Sequence, residues 1–279
     1  MPSPEWPSNV TPADSRNQAG PERVLHLLSE GVMQVEGLIP WSSNATLLVT
    51  VRAGGEAALA IYKPQRGERP LWDFPHGSLG RREVATYLVA EALACRADGD
   101  PRHVQGRLRL GTRGCWGLVP PTVLRDGPYG PGSVQLFIEA QEEIHFFTIQ
   151  DDARYADDLK RLAALDLICN NADRKAGHCL IDSEGRLWAI DNALTFHVEP
   201  KLRTVIWDCA GAPVPAHILS DLERLLDLLR EPNEELTLAL ERLLSEQEVA
   251  ALTQRVRDLA LARLYPEPGP WRSVPYPLV

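Results

Sequence analysis

Lysine is scarce in this chain. Among its 29 lysines and arginines only Lys63, Lys160, Lys175 and Lys201 are lysine, a bias that reflects an arginine-favouring coding background. A lysine kept against that bias points to a place where a compact, flexible ammonium serves better than a planar guanidinium. Positive charge as a whole is also short. The net charge of −9 argues against a general nucleic-acid binder and against docking on an anionic membrane. The five cysteines (Cys95, Cys115, Cys169, Cys179 and Cys209) are scattered, odd in number and never spaced as CxxC. A disulfide framework and a structural zinc site are therefore disfavoured, and the thiols read as those of a reduced, cytoplasmic protein. No apolar run approaches the ~18 residues of a membrane span. The opening stretch lacks the basic start and apolar segment of a signal peptide and reads as a disordered tail over residues 1–20.

What remains is ordinary soluble composition, 44% apolar and 24% charged, in a chain long enough for one large domain or two lobes around a cleft. A short helix is expected from Pro21 to Gly31. Three β-favouring runs follow (VMQVEGLI, TLLVTVR and EAALAIYK), the last two joined by AGG and the last ending on Lys63. A breaker-rich stretch leads to a helix over Arg81–Ala94, with Val84, Tyr87, Leu88 and Leu93 at helical spacing. Residues 96–114 read as a polar surface insertion. GLVPPTVLR and SVQLFIEA read as two more strands, separated by the turn DGPYGPG. Thereafter the pattern is mainly helical. DDARYADDLKRLAALDLICNN forms an amphipathic helix, and CLIDSEGRLWAID a hairpin turning at SEG. Three helices follow Pro215, the last capped by Ser245 and Glu248. The closing YPEPGPWRSVPYPLV reads as extended. The expectation is an α+β, two-lobed fold, with a β-rich lobe over 21–139 and a helical lobe over 140–279. Trp72, Trp116, Trp188 and Trp207 are read as core or lobe packing.

The chemistry concentrates in NNADRKAGH and AIDNALTF. Asp173 lies on a loop after a long helix, His178 five residues later, and Asp191 ends a strand 18 residues after Asp173. Phosphoryl transfer from ATP asks for these parts: a carboxylate at the attacking hydroxyl, metal ligands, and a cation on the phosphates. Taken singly, each residue has a plainer explanation, as a turn, a helix-dipole glutamate, a solvated strand end or a packed histidine. Their joint order favours the functional reading. The wording DRKAGH…AIDNALTF resembles phosphoinositide 3/4-kinase-like and HipA-like kinases. It is most similar to a bacterial family of kinase-fold proteins in the first group, through IYKPQRGERPLWDFPHGSLGRREVATYLVAEAL, GPGSVQLFI, NNADRKAGHCL and LWAIDNALTFHVEPKLRTVIWD. The resemblance covers most of residues 33–212, weakens in the C-terminal helices and is absent from the tail.

The resemblance implies a protein-kinase-like fold and a role for each matching position. Asp173 would orient or deprotonate the acceptor hydroxyl, with Arg174 beside it among the catalytic residues. Lys63 would meet the ATP phosphates, and Glu83 would pair with Lys63. Ser42, Ser43 and Asn44 would lie over the phosphates, although this loop lacks the glycines of a kinase lid. Gln135, Leu136, Phe137 and Ile138 would face adenine, and His178 and Asp191 would hold Mg²⁺ or Mn²⁺. Lys175, Lys201 and Arg203 are candidates for the acceptor side. Most kinases carry Asn where this chain has His178. An imidazole ligand suits Mn²⁺ at least as well as Mg²⁺, and activity is expected to fall as pH drops through an ordinary histidine pKa of about 6.5. The family would suggest a phosphoinositide substrate, but no basic amphipathic helix or acylation signal brings this chain to a membrane. The expected function is γ-phosphate transfer from ATP to a hydroxyl of a soluble acceptor, either a protein Ser/Thr or a small polar metabolite. A silent nucleotide-binding pseudokinase, a phosphoinositide kinase and an AMP transferase are the alternatives.

Overall fold

In the computed structural model, the described residues are 21–39, 44–94, 103–104, 107–108, 116–141, 143–270 and 272–279. The expected N-terminal tail, nearly all of the 96–114 insertion, and Ser42 and Ser43 lie outside them.

Alternation and turn residues build the first lobe. After α1 (Pro21–Glu30), β1 (Val32–Leu38), β2 (Leu47–Ala53) and β3 (Glu56–Pro64) form an antiparallel meander. The β2–β3 hairpin turns on Gly54 and Gly55, both at positive φ, a conformation open to glycine at no steric cost. The chain then runs through an irregular segment to α2 (Leu79–Ala94) and a two-residue ladder, β4 (His103–Val104) with β5 (Arg107–Leu108). It returns as β6 (Thr122–Gly127) and β7 (Gly130–Leu136). The sheet order is β1-β2-β3-β7-β6, so β7 pairs with β3 and places Ser133 opposite Lys63.

The β6–β7 connection departs from the expected seven-residue turn. Gly127 pairs with Gly130, leaving Pro128 and Tyr129 as the turn, while Pro120–Pro121 keep residues 117–121 out of the ladder. Two of the glycines that read as breakers, Gly127 and Gly132, are strand members because of close approaches, whereas Gly130 has open space around it and a φ of 96°. A Cβ on Gly132 would lie 2.4 Å from the Lys63 carbonyl oxygen, and one on Gly127 would meet the Tyr62 ring. The Tyr62 hydroxyl donates to the Gly130 carbonyl at 2.5 Å.

The second lobe is helical: α3 (Phe146–Ile149), α4 (Ala156–Cys169), α5 (Ala216–Arg230), α6 (Glu235–Leu243) and α7 (Glu246–Ala262), with one hairpin of β8 (Cys179–Ile181) and β9 (Leu187–Ala189). The expected amphipathic helix starts only at Ala156 and is buried on most sides, carrying Asp158, Arg161 and Asp166 inward. It packs against α7 and shares one core with Leu252 and Val256 of that helix and Leu222 and Leu225 of α5. The Ser245–Glu248 capping box opens α7. The closing segment, expected merely as extended, folds back on the lobe: Thr204 N–H donates to the Ser273 carbonyl at 3.0 Å and Ala176 N–H to that of Leu278 at 2.8 Å. Trp116 and Trp188 are buried, whereas Trp72 is 92% exposed, against the packing role expected for it. Lys201 covers one face of its ring instead.

The architecture is α+β and two-lobed. A five-stranded antiparallel sheet with one long helix precedes a helical lobe, a lysine stands on the third strand and a glutamate on the helix beside it, which is the protein-kinase-like arrangement. Among the described residues no helix is long and apolar enough to cross a membrane.

The Gly132 contact yields a prediction. Gly132→Ala forces β7 away from β3 and costs about 1–3 kcal/mol of stability, to be read as a fall in the denaturation midpoint. An unchanged midpoint would contradict the close approach.

Candidate active site

Lys63 joins the two lobes chemically. Its Nζ lies 2.5 Å from Glu83 Oε1 on α2 and 2.9 Å from Asp191 Oδ1, two residues beyond β9. Burial by itself lowers a lysine pKa, but Asp191 and Glu83 more than offset it and hold the ammonium above its ordinary value. The same pairing acts on Asp191, whose carboxyl is kept well below the usual range by Lys63 first, against an opposing effect of burial. Glu83 is fixed at its other oxygen, Oε2, which accepts from Ser133 Oγ at 2.8 Å. The lysine ammonium is therefore permanently charged and aimed by two anchored carboxylates.

Asp191 reaches this position by a backbone φ of 57°, a left-handed conformation that Asp tolerates better than most residues. Asn192 supports it from below. Its Nδ2 donates to the Ala189 carbonyl at 3.0 Å, and its Oδ1 accepts from Arg174 Nη2 at 2.5 Å.

The loop after α4 is built by two asparagines. Asn170 caps α4 in a left-handed conformation and ties down residues 197–201 through the His197 and Glu199 carbonyls and the Lys201 N–H. Asn171 donates to Asp166 Oδ1 at 2.9 Å and accepts the N–H of Asp173 at 3.0 Å. Arg174 was expected among the catalytic residues, and the structure corrects this. Its guanidinium is completely buried, paired with both oxygens of Asp166 and donating to the Ile190 carbonyl. Its place is under the loop, not in the cleft. Asp173, by contrast, keeps 27% of its side chain exposed beside Lys175 Nζ at 3.3 Å. Burial raises its pKa, Lys175 opposes that rise and Asp191 adds to it; the net direction is upward, as suits a proton acceptor.

A cavity of about 370 Å³ opens between the lobes, within the usual range for small-molecule sites. Its lining includes the apolar side chains of Ile61, Leu136 and Leu180 and the charged ones of Lys63, Glu83 and Asp191. All four expected adenine-facing residues, Gln135, Leu136, Phe137 and Ile138, line it. The Gln135 amide, however, is spent on Thr122 Oγ1 at 2.8 Å, and the Phe137 N–H on the Leu59 carbonyl at 3.0 Å. Asn44 lines the cavity too, and its Oδ1 braces the N–H of Arg69. On the acceptor side, Lys175 lines the cavity. Lys201 does not stand free: its Nζ pairs with Asp73 at 3.0 Å and its side chain is only 10% exposed. That corrects its expected role in attracting an anion. Arg203 lies close enough to Asp173 to lower that carboxyl's pKa.

His178 stands with Nε2 3.4 Å from Asp191 Oδ2, and its Nδ1 faces the N–H of Lys175 at 3.4 Å. Burial pushes its pKa down to about 4, with Asp191 opposing. With that shift the imidazole is neutral over pH 5–8, and the expected fall in activity moves from about pH 6.5 to about pH 4. An acceptor Nδ1 leaves the proton on Nε2, so ligation through Nε2 requires the other tautomer. Among the described residues no group of three or more His, Cys, Asp or Glu side chains converges on a metal position. One carboxylate with a neighbouring imidazole does fit a hard dication that keeps waters and takes its other ligands from phosphates. It does not fit a metal held in the absence of nucleotide.

Sequence reasoning missed Asp166, Ser133 and Glu68. Asp166 and Ser133 are buried, and Glu68 lines the cavity and accepts from the Gly80 N–H. An acid inside an apolar helix run was the only mark Asp166 left.

No family model matches the chain. Protein Rv2133c of Mycobacterium tuberculosis is 34% identical over 284 residues, covering 90% of this chain and 94% of that protein. A crystal structure of the Helicobacter pylori proinflammatory kinase CtkA aligns at a TM-score of 0.44 and 10% identity, over 85% of this chain and 94% of that one. That score is too low to bear on fold or function.

The geometry separates two adjacent residues. Arg174→Met strands Asp166 as a buried unpaired charge and lowers stability by about 3–5 kcal/mol. Asp173→Asn, partly exposed and held through its backbone, shifts stability by less than about 1 kcal/mol. Chemical denaturation of both variants reads the difference, and equal losses would contradict the assignment of Arg174 to the scaffold.

Proposed function

The chain belongs to the same family as protein Rv2133c of Mycobacterium tuberculosis, and we propose that it is an ATP-dependent phosphotransferase acting on a hydroxyl of a soluble acceptor. One observation carries the reading: an ammonium clamped between Glu83 and Asp191 faces a cavity between the lobes, whose lining includes apolar side chains suited to a base.

Phosphoryl transfer needs little covalent help from the protein. It needs position and countercharge. In this reading Lys63 meets the α- and β-phosphates, and Glu83 and Ser133 keep it from swinging out. Leu136 and Ile61 take the base. Asp173 accepts the proton of the acceptor hydroxyl or orients it, its affinity for a proton raised by its surroundings. Lys175 pairs with Asp173 and lines the cavity, where a transferring phosphate would sit. Asp191 and the neighbouring His178 would hold Mg²⁺ or Mn²⁺, which when bound would neutralise charge on the transferring phosphate. Arg203 favours an acceptor that carries negative charge near the reacting hydroxyl.

The test is to supply γ-labelled ATP with Mg²⁺ or Mn²⁺ and cell extract, and to follow the label. Label in a protein or in a small-molecule fraction supports phosphotransfer and identifies the acceptor class. AMP added to product, read by mass, would overturn it in favour of nucleotidyl transfer. ATP binding without any metal-dependent turnover would overturn it in favour of a silent regulator.

Asp173→Asn should lower turnover by roughly 10²–10⁴-fold while leaving ATP affinity within about threefold of wild type. Metal dependence gives a second outcome. Calorimetric titration with Mn²⁺ alone should give no tight binding, and ATP and metal should bind together. Tight metal binding by the nucleotide-free protein would contradict the two-ligand site.

A further inference from the structure

α2 carries two adjacent charges that face different lobes. Glu83 looks to Lys63, and Arg82 looks into the helical lobe, 1% exposed. Arg82 Nη1 donates to the Thr195 carbonyl at 2.5 Å, Nη2 pairs with Glu248 Oε1, Nε donates to Ser78 Oγ at 3.2 Å, and the guanidinium lies 4.9 Å from the Phe74 ring centroid. The carboxylate it meets is itself anchored. Glu248 Oε2 accepts from Ser245 N–H and Oγ at the start of α7. The Thr195 end is anchored too, through Thr195 Oγ1 to the Asn192 carbonyl at 2.9 Å, one residue from Asp191.

We propose that Arg82 and Glu248 are positioning residues that lock α2 against the helical lobe, so that Glu83 is presented to Lys63 without a separate activating partner. The inference rests on the phosphotransferase reading. Its physical basis is competition for one ammonium: Lys63 lies within hydrogen-bond reach of both Glu83 and Asp191. If α2 drifts outward, Glu83 leaves, and Lys63 is left to Asp191 alone. The countercharge meant for phosphate then neutralises the carboxylate meant for metal. A buried arginine joined to four groups on three segments resists that drift far better than apolar contact, because every other arrangement leaves a buried charge without its partners.

The gentle variant is Glu248→Gln, which retains an acceptor for the α7 cap and removes the charge opposite Arg82. Arg82→Lys is the second variant, keeping the charge and losing the fork. Leu222→Ala is the control, a core truncation in the helical lobe that lowers stability while leaving Arg82 and Glu248 in place. Hydrogen exchange should show amides of α2 and of the end of β3 opening at least ~tenfold faster in Glu248→Gln than in the control. Turnover should fall by roughly tenfold to a hundredfold in kcat, with a smaller change in KM for ATP, and Arg82→Lys should lie between wild type and Glu248→Gln. Exchange in α2 that is unchanged, or no faster than in Leu222→Ala, would overturn the proposal. If the wild type itself shows no turnover, the phosphotransferase reading fails, while the exchange experiment still decides whether the lock exists.

Discussion

One ammonium shared by two carboxylates organises the molecule. Lys63 comes from the sheet, Glu83 from the long helix and Asp191 from the end of a hairpin in the other lobe. Glu83, 1% exposed, depends on its partners most, because an unpaired buried charge costs several kcal/mol, whereas Lys63 and Asp191 keep contact with solvent. Lys63 and Asp191 favour each other's charged form, and the three side chains tie sheet, helix and hairpin together at the cavity. The rest of the structure can be understood as what keeps those three side chains from separating or collapsing.

The supports are layered. Beneath the cleft, Asp166 and Arg174 form a buried ion pair that also binds Asn171 and Asn192, and those asparagines hold the backbone beside Asp173 and Asp191. The left-handed Asp191 is a strained position that this network maintains, a pattern common at functional sites. The chain's closing segment adds a further tie at Ala176, between Asp173 and His178. Exposure and burial thus alternate along one loop: Asp173 is partly exposed beside Lys175, Arg174 is wholly buried, Lys175 lines the cavity, and Ala176 is bound through its backbone.

Much of this was legible in the sequence because local rules and global fold agree there. The meander up to Lys63, the helix after it, the hairpin before Asp191 and the capping box at Ser245 all follow from alternation, helical spacing and turn residues. The β6–β7 turn was misjudged because two of its glycines, Gly127 and Gly132, serve close packing against Tyr62 and Lys63, which composition does not distinguish from turn-making. Arg174 was misjudged because a motif fixes order along the chain but not direction, and adjacent residues on a loop point opposite ways. Lys201 looked available because its partner Asp73 lies 128 positions earlier in the chain, on the other lobe. The histidine's lowered pKa followed from burial that no spacing reveals. Long-range pairing was the common gap, and Arg82 with Glu248 is its largest instance.

The central claim is that Lys63, held by Glu83 and Asp191, is the phosphate contact of a nucleotide site. Equilibrium titration of MgATP against wild type and Lys63→Met, with the adenosine nucleoside as reference, tests it most directly. The account predicts that MgATP affinity falls at least tenfold in the variant while adenosine binding is unchanged. Equal MgATP affinity in the two proteins would contradict it.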